Sequence, residues 1–362
     1  MPSDPAFLRK TAHNTAPGSR SASLEMAQHA LQAHWFPFLL IFYEIGTYLA
    51  NDMYLPALPE IAQTFGMDQA LAQSTLSLFF LGSGSLQLIL GPLSDRIGRR
   101  PVLLGGTLVF ISATALRTFT QSIPLFLAGR FLQGTVVCSM IIGGYTTVHS
   151  LYQGKKVVQL LSMMASVVVL APALGPVVGA LLLMIMPWRG LFALLLVWGV
   201  LSAVALYYGT PETLSKPESI HPGRLLSSYY RVFTHRAFLR FCLTFALLLG
   251  TLFIWIVESP FVIMEVHGHS QLFFGISQLF VFGGFTAGTF MAKHTLERHP
   301  VKNVIQRGLQ AVALGIGSFC ILALWGAPTQ AQVAAMTLST LGIGSTCGPL
   351  QRLAIEASKE PL

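Results

Sequence analysis

The chain has 362 residues, of which 53% are hydrophobic and only 10% charged, with mean hydropathy +0.64 and a formal net charge of +8. A soluble domain needs about 25% charged residues to wet its surface. This composition excludes a cytosolic enzyme, a nucleic-acid binder and a disordered protein.

Residues 1–34 are polar, with Ser, Pro, Arg and His and no apolar centre, so no cleavable signal is expected and the segment reads as a cytoplasmic tail. A spanning helix needs about 20 mostly apolar residues. Ten such runs follow, near 35–57, 72–93, 101–119, 124–149, 158–186, 189–209, 238–262, 272–292, 304–325 and 330–352. The breaks between them are short except 210–237, which carries Pro211, Pro217 and Pro222 and reads as a cytoplasmic linker. The predicted organisation is therefore a six-span bundle over 35–209, the linker, and a four-span bundle within 238–362. Cys138, Cys242, Cys320 and Cys347 all lie in apolar runs with no CxxC pair, which fits packing residues rather than disulfides or zinc.

Lysine and arginine in the loops orient the spans. With the N-terminus inside, nineteen of the 22 basic residues fall on the cytoplasmic side, and only Arg117 and Arg189 on the other. Arg130 lies within a span. The net positive charge then anchors loops against anionic lipid and requires no nucleic acid.

Ionisable groups inside a span are costly, which makes them functional candidates. The first span reads HWFPFLLIFYEIGTYLANDMYLPALP. Glu44 and Asp52 are eight residues apart, which places them about 80° apart around a helix and ~12 Å apart along it. Tyr48 and Asn51 share that face. Burial penalises a carboxylate's charged form, so such a group takes up a proton near neutral pH and releases it when wetted from the other side. Arg130, in LAGRFLQG, stays protonated and needs an acidic or carbonyl partner. Asp52 or Glu44 is the expected one. Glu258 sits near the outer end of the seventh span, two residues before Pro260, and a disrupted helix beside a carboxylate is a common binding-site pattern in transporters. Its plainer reading is an acid at the wet interface. Glu265, His267 and His269 form an outer-loop cluster of potential ligands, but exposed loop histidines are ordinary and no metal is expected there.

In the fifth span, APALGPVVGA places Gly175, Pro176 and Gly179 on a smooth, kinkable stretch suited to close helix approach. The short loop after the second span, GPLSDRIGRRPVLL, sets Asp95 between Gly91 and Gly98 and beside Arg96 and Arg99.

That loop resembles the signature between helices two and three of the major facilitator superfamily. GRFLQG resembles the superfamily's helix-four motif with its buried arginine, and APALGPVVGA its helix-five antiporter motif. YEIGTYLANDMYLPALP is similar to the first helix of the Bcr/CflA and MdfA-like drug:proton antiporters, and WRG at 188–190 with PET at 211–213 also fits. The resemblance covers about 35–352. It implies an all-α polytopic membrane protein, two pseudo-symmetric six-helix bundles around a central cavity, with ten of the usual twelve helices present. It implies no enzymatic activity and no cofactor beyond the proton gradient. The implied partners are a small-molecule substrate, protons and the bilayer, for a monomer in the bacterial inner membrane. Glu44 and Asp52 match the helix-one acids that carry protons and contact cationic drugs, Tyr48 and Asn51 their cavity neighbours, and Arg130 the helix-four arginine. Gly91, Asp95, Arg96, Gly98 and Arg99 match the cytoplasmic gate, and Gly175, Pro176 and Gly179 the hinge. Glu258 departs from the family pattern, standing where relatives carry an uncharged residue. The gate normally docks near helix eleven, so Asp95 is expected to lack its partner.

The expected activity is proton-coupled efflux of lipophilic, cationic molecules. Siderophore or metabolite export and a non-transporting role, as a truncated remnant or an interaction or sensor protein, are the alternatives. The 362-residue chain alone is expected to insert but transport weakly, because four spans leave the second bundle unsealed. The charge distribution also makes a direct prediction: a cysteine at position 220 reacts with impermeant thiol reagents only from the cytoplasmic side, and labelling from outside intact cells refutes the assigned orientation.

Overall fold

The computed structural model describes residues 20–214 and 222–358, and these are helical, with no strand among them. Parts of the expected tail and linker, with Arg9, Lys10, Lys216, Lys359 and position 220, lie outside the described residues.

The first helix, α1 (Arg20–Asp52), runs through Pro37 and ends at Asp52. Pro56 and Pro59 follow, and proline belongs at the first turns of helices. They start a short 3-10 turn (Leu55–Ala57) and α2 (Leu58–Phe65), which Gly66 closes at φ 65°. Asp68 caps α3 (Gln69–Ser85), its Oδ1 accepting from Leu71 N at 2.8 Å. A bend of 44° separates α3 from α4 (Gln87–Ile97) just after Gly84 and Ser85. Gly98, at φ 104°, reverses the chain into α5 (Arg99–Phe119).

Helix α6 (Ile123–Ser139) continues through a π-helical turn (Met140–Tyr145) into α7 (Thr146–Leu151). Next come α8 (Lys155–Leu183) and α9 (Trp188–Gly209). The stretch read as a plain linker contains an amphipathic helix, α10 (Pro222–Thr234), whose Tyr229 hydroxyl donates to Leu88 O at 2.9 Å. Then follow α11 (Arg236–Phe261), with a second π-helical turn after Pro260, α12 (Gln271–Leu296), α13 (Val301–Leu324) and α14 (Thr329–Ala357).

Eight of these helical stretches are long and apolar enough to cross a membrane, and α3–α4 makes a ninth if counted as one bent span. Helix α1 has the length, with 33 residues, but its polar face of Glu44, Tyr48, Asn51 and Asp52 lowers its mean hydropathy. Each of the ten apolar runs falls on one of these ten stretches. Outward-facing side chains such as Leu247, Ile254 and Leu314 are apolar and exposed, as a lipid-facing surface requires.

Glycine sets the tightest contacts. A Cβ on Gly134 of α6 would strike the Phe79 carbonyl of α3, and one on Gly288 of α12 would strike the Leu341 carbonyl of α14. In lipid, where no hydrophobic force gathers helices, such backbone approach supplies the packing. Helices up to α9 pack mainly on one another, as do those from α11 onward. The two sets meet through α8 against α12 and α3 against α11, at the end that carries α2.

Candidate functional site

The site is built where α1 runs out. Asp52, its last residue, is buried, and Asn51 Nδ2 donates to Asp52 Oδ1 at 2.9 Å. Helix α8 lies directly against this terminus. A Cβ on Gly175 would come within 2.7 Å of Asp52 Cβ, and one on Gly179 would strike the Met53 carbonyl. The smooth stretch of α8 therefore frames Asp52. On its other side Gly275 of α12 meets Pro176 O, where an added Cβ would sit at 3.0 Å.

Arg130 is fully buried beside this terminus, and its guanidinium is held by five acceptors. Nε donates to Thr75 O at 3.1 Å, Nη1 to Ala50 O at 3.2 Å and Gln133 Oε1 at 3.1 Å, and Nη2 to Asn51 Oδ1 at 2.9 Å and Tyr54 Oη at 3.0 Å. The expected carboxylate partner is therefore corrected: Arg130 pairs directly with neither Glu44 nor Asp52. Asn51 stands between Arg130 and Asp52, accepting from one and donating to the other. The Ala50 carbonyl is available because the last turn of a helix leaves its carbonyls without intrahelical partners.

Glu44 lies two turns earlier on α1 and is fully buried. Tyr145 Oη donates to its Oε1 at 2.5 Å, while Oε2 has no hydrogen-bond partner. Tyr145 is the last residue of the π-helical turn in the fourth span, and such turns re-aim side chains at functional sites. The charged faces of α1 and α6 thus meet twice, at Tyr145–Glu44 and at Arg130–Asn51.

Tyr48, Asn51 and Asp52 line a cavity of about 290 Å³ between the two sets of helices. Apart from Ser83 its other walls are apolar, with Phe79, Phe80 and Val137 on one side and Leu252, Phe253, Phe282 and Phe285 on the other. Phe80 and Phe253 stack across the divide with centroids 4.2 Å apart. Glu258 does not line this cavity. It accepts a 2.8 Å hydrogen bond from Gln73 Nε2, joining α11 to α3.

The stretch expected as a loop and resembling the cytoplasmic gate is helical up to Ile97: Gly91, Asp95 and Arg96 lie on α4 and only Gly98 separates it from α5, while Asp95 and Arg96 are exposed and Asp95 has no hydrogen bond or ion pair among the described residues. Arg99 reaches across to Thr146 O at 3.3 Å, Thr213 Oγ1 at 3.2 Å and Ser150 Oγ. Glu212, from PET, caps α5: its carboxylate accepts from the backbone N–H of Arg99 at 3.3 Å and Arg100 at 3.2 Å, and from Thr213 and Leu214 at 2.8 and 2.9 Å. A negative group at a helix N-terminus is favoured by both the free N–H groups and the macrodipole. Gly98 leaves room for it, since a Cβ there would lie 2.5 Å from Glu212 Oε2.

The outer-loop cluster does not converge. His269 stacks on Phe273 and hydrogen-bonds Thr329 Oγ1 at 2.9 Å, and the two histidine rings are 6.5 Å apart. Among the described residues no three His, Cys, Asp or Glu side chains gather as a metal site would need. Arg117, placed on the outer side by sequence, is instead fully buried among aromatic rings. Tyr54, Gln73, Gln133, Tyr145 and Glu212 were not singled out by sequence, although Tyr54, Gln133 and Glu212 lie within stretches that carry the family resemblance, YEIGTYLANDMYLPALP, GRFLQG and PET.

The Major Facilitator Superfamily model matches residues 40–361. The chain is 33% identical over 325 residues to the multidrug transporter MdfA of Edwardsiella piscicida, covering 89% of this chain and 79% of that protein. It is 31% identical over 335 residues to the multidrug resistance protein MdtM of Escherichia coli K12, covering 90% and 80%. Among solved structures, a bacterial homologue of the human lysosomal transporter Spinster aligns with TM-score 0.70 at 15% identity, over 89% of this chain and 75% of that one. The Escherichia coli xylose transporter XylE aligns with TM-score 0.65 at 15% identity, over 91% and 85%. The chain belongs to the Major Facilitator Superfamily.

The Glu212 cap makes a stability prediction. Glu212→Gln weakens four hydrogen bonds and removes the charge at the α5 terminus, so it lowers stability by about 1–2 kcal/mol. Thermal unfolding of the purified protein in detergent measures it, and an unchanged midpoint shows that the cap contributes nothing.

Proposed function

We propose that the protein exports lipophilic, cationic small molecules, drugs among them, in exchange for protons, by alternating access across a bacterial inner membrane. The observation that carries this reading is a buried carboxylate, Asp52, in a largely apolar, aromatic-rich cavity between the two sets of helices, where it is the one charged side chain of the lining. An apolar wall accepts many shapes, while a single carboxylate offers one site for which a proton and a cation compete. The names of the relatives, multidrug transporter and multidrug resistance protein, support the same substrate class.

In this reading the helices up to α9 and those from α11 onward form two bundles joined through 210–237, with the N-terminus and the linker cytoplasmic. Asp52 and Glu44 carry protons. Asn51 and Arg130 orient Asp52, and Tyr145 orients Glu44. Tyr48 shares the cavity wall with the substrate. Gly175, Pro176 and Gly179 let α8 rock against the end of α1. The stretch of Gly91, Asp95, Arg96, Gly98 and Arg99 forms the cytoplasmic gate. Glu258, through Gln73, fastens the outer end and is broken when the cavity opens outward.

Protons released when tetraphenylphosphonium binds to the detergent-solubilised protein test the central claim. Release falls in Asp52→Asn and in Glu44→Gln, because neither amide exchanges a proton, and it vanishes when both are changed. Release that survives intact in the double variant reduces both acids to structural polar groups.

A further inference from the structure

A second arginine is buried in the same core and has no place in the mechanism above. Arg117 sits in the last turn of α5 with no exposure to solvent. Its guanidinium lies over three rings, Phe192 at 4.0 Å, Phe126 at 4.7 Å and Tyr54 at 5.1 Å. Space for its stem comes from Gly129 on α6, where a Cβ would stand 2.7 Å from Arg117 Cγ. Its one hydrogen bond runs from Nη1 to Gln133 Oε1 at 2.6 Å, and Nε and Nη2 are buried without partners.

That one bond joins it to the site. Gln133 Oε1 also accepts from Arg130 Nη1 at 3.1 Å, while Gln133 Nε2 donates to Thr114 Oγ1 at 3.0 Å, so the amide is fixed with its oxygen between the two guanidiniums. Both arginines also lie over the Tyr54 ring, Arg130 at 4.3 Å. A continuous path therefore leads from Arg117 through Gln133, Arg130 and Asn51 to Asp52.

A guanidinium stays charged, and a buried one that lacks a carboxylate partner is costly to keep. Packing alone does not require it, because an aliphatic residue of similar length fills an aromatic cage without that cost. What Arg117 adds is a second fixed positive charge behind Arg130. Positive charge behind Asp52 offsets the attraction its carboxylate exerts on a cation in the cavity and leaves the apolar walls untouched.

We infer that Arg117 is a specificity-determining residue: coupled to Arg130 through Gln133, it sets how strongly Asp52 favours cationic over neutral ligands. The inference rests on the reading of Asp52 as the cation-binding carboxylate. Without Arg117 the cavity prefers cations more strongly; with it, neutral lipophiles compete better.

The test is equilibrium binding to the full chain in detergent, with tetraphenylphosphonium as the cationic probe and triphenylphosphine oxide as a neutral molecule of related shape. Arg117→Gln removes the charge and keeps a donor for Gln133, and Arg117→Met removes both. Each raises the ratio of cation to neutral affinity, by about fivefold for the loss of one partly screened charge. If one variant fails to accumulate, the other carries the measurement. A merely structural Arg117 weakens both ligands alike, so a ratio within twofold of the unsubstituted protein overturns the inference. Asp52→Asn is the control for the underlying reading. If it binds tetraphenylphosphonium as well as the unsubstituted protein does, the assignment of the cavity fails, and this inference with it. If Asp52→Asn loses the cation while the Arg117 ratio stays put, only the role of Arg117 is refuted.

Discussion

A guanidinium removed from water is costly unless its N–H groups are met by protein, and Arg130 has them met by atoms from three helices. The acceptors come from the end of α1, the residue Tyr54 just beyond it, the middle of α3 and one turn further along α6. Leaving such a group unpaired costs several kcal/mol, so α1, α3 and α6 cannot shift independently without breaking the shell. The termination of α1 at Asp52 belongs to the same arrangement, because the last turn of a helix leaves the Ala50 carbonyl without an intrahelical partner. Prolines at 56 and 59 follow at once and start new helical turns. One buried cation thus fixes where a helix stops and which side chains stand at its tip.

Around that centre the packing depends on absent side chains. Gly175 and Gly179 bring α8 onto the α1 terminus, and Gly275 brings α12 onto α8 beside Pro176. Asp52 is therefore closed in by backbone on one face and opens to the cavity on another. A larger residue at Gly175 would push α8 away and let solvent or lipid reach the carboxylate. The low-dielectric setting of the acid comes from the shape of its neighbours as much as from their polarity.

Most of the fold was legible from the sequence. The ten apolar runs mark the ten membrane-length stretches, because hydropathy over about 20 residues is a direct readout of the bilayer. Glu44, Asn51, Asp52 and Arg130 were legible for the converse reason, since polar groups in such runs stand out. What was not legible depended on three-dimensional neighbours. Arg117 lies two residues before the end of the run at 101–119, where an arginine is expected to snorkel to water. Only the rings of Phe126 and Phe192 and the gap at Gly129 turn it inward. Tyr145 reaches Glu44 through a π-helical turn that no periodicity announced. The direct pairing of Arg130 with an acid failed because a sequence shows charges but not the amide that stands between them. Glu212 stood in PET as part of the resemblance only, and its capping role appears once Gly98 brings α5's first N–H groups to it.

The two sets of helices differ in how they use polarity, and that difference bears on how they can move. The first buries four ionisable groups: Asp52, Arg117 and Arg130, bound into one network across α1, α3, α5 and α6, and Glu44, held separately by Tyr145. The second is tied by neutral bonds, such as Trp255 Nε1 to Gln278 at 3.0 Å and Gln278 to Ser259 at 3.3 Å, and by glycine contacts between α12 and α14. Between the sets the contacts are mostly apolar: α8 packs along α12 with close backbone approach at Gly275, Phe80 stacks on Phe253, and Gln73 donates to Glu258. Separating these surfaces breaks the α8–α12 packing and, among the described residues, one side-chain hydrogen bond. Distorting the polar network leaves a buried guanidinium unpaired, at a cost of several kcal/mol. Asp52 therefore stands on a frame fixed by the five acceptors of Arg130, the part of the structure least free to rearrange.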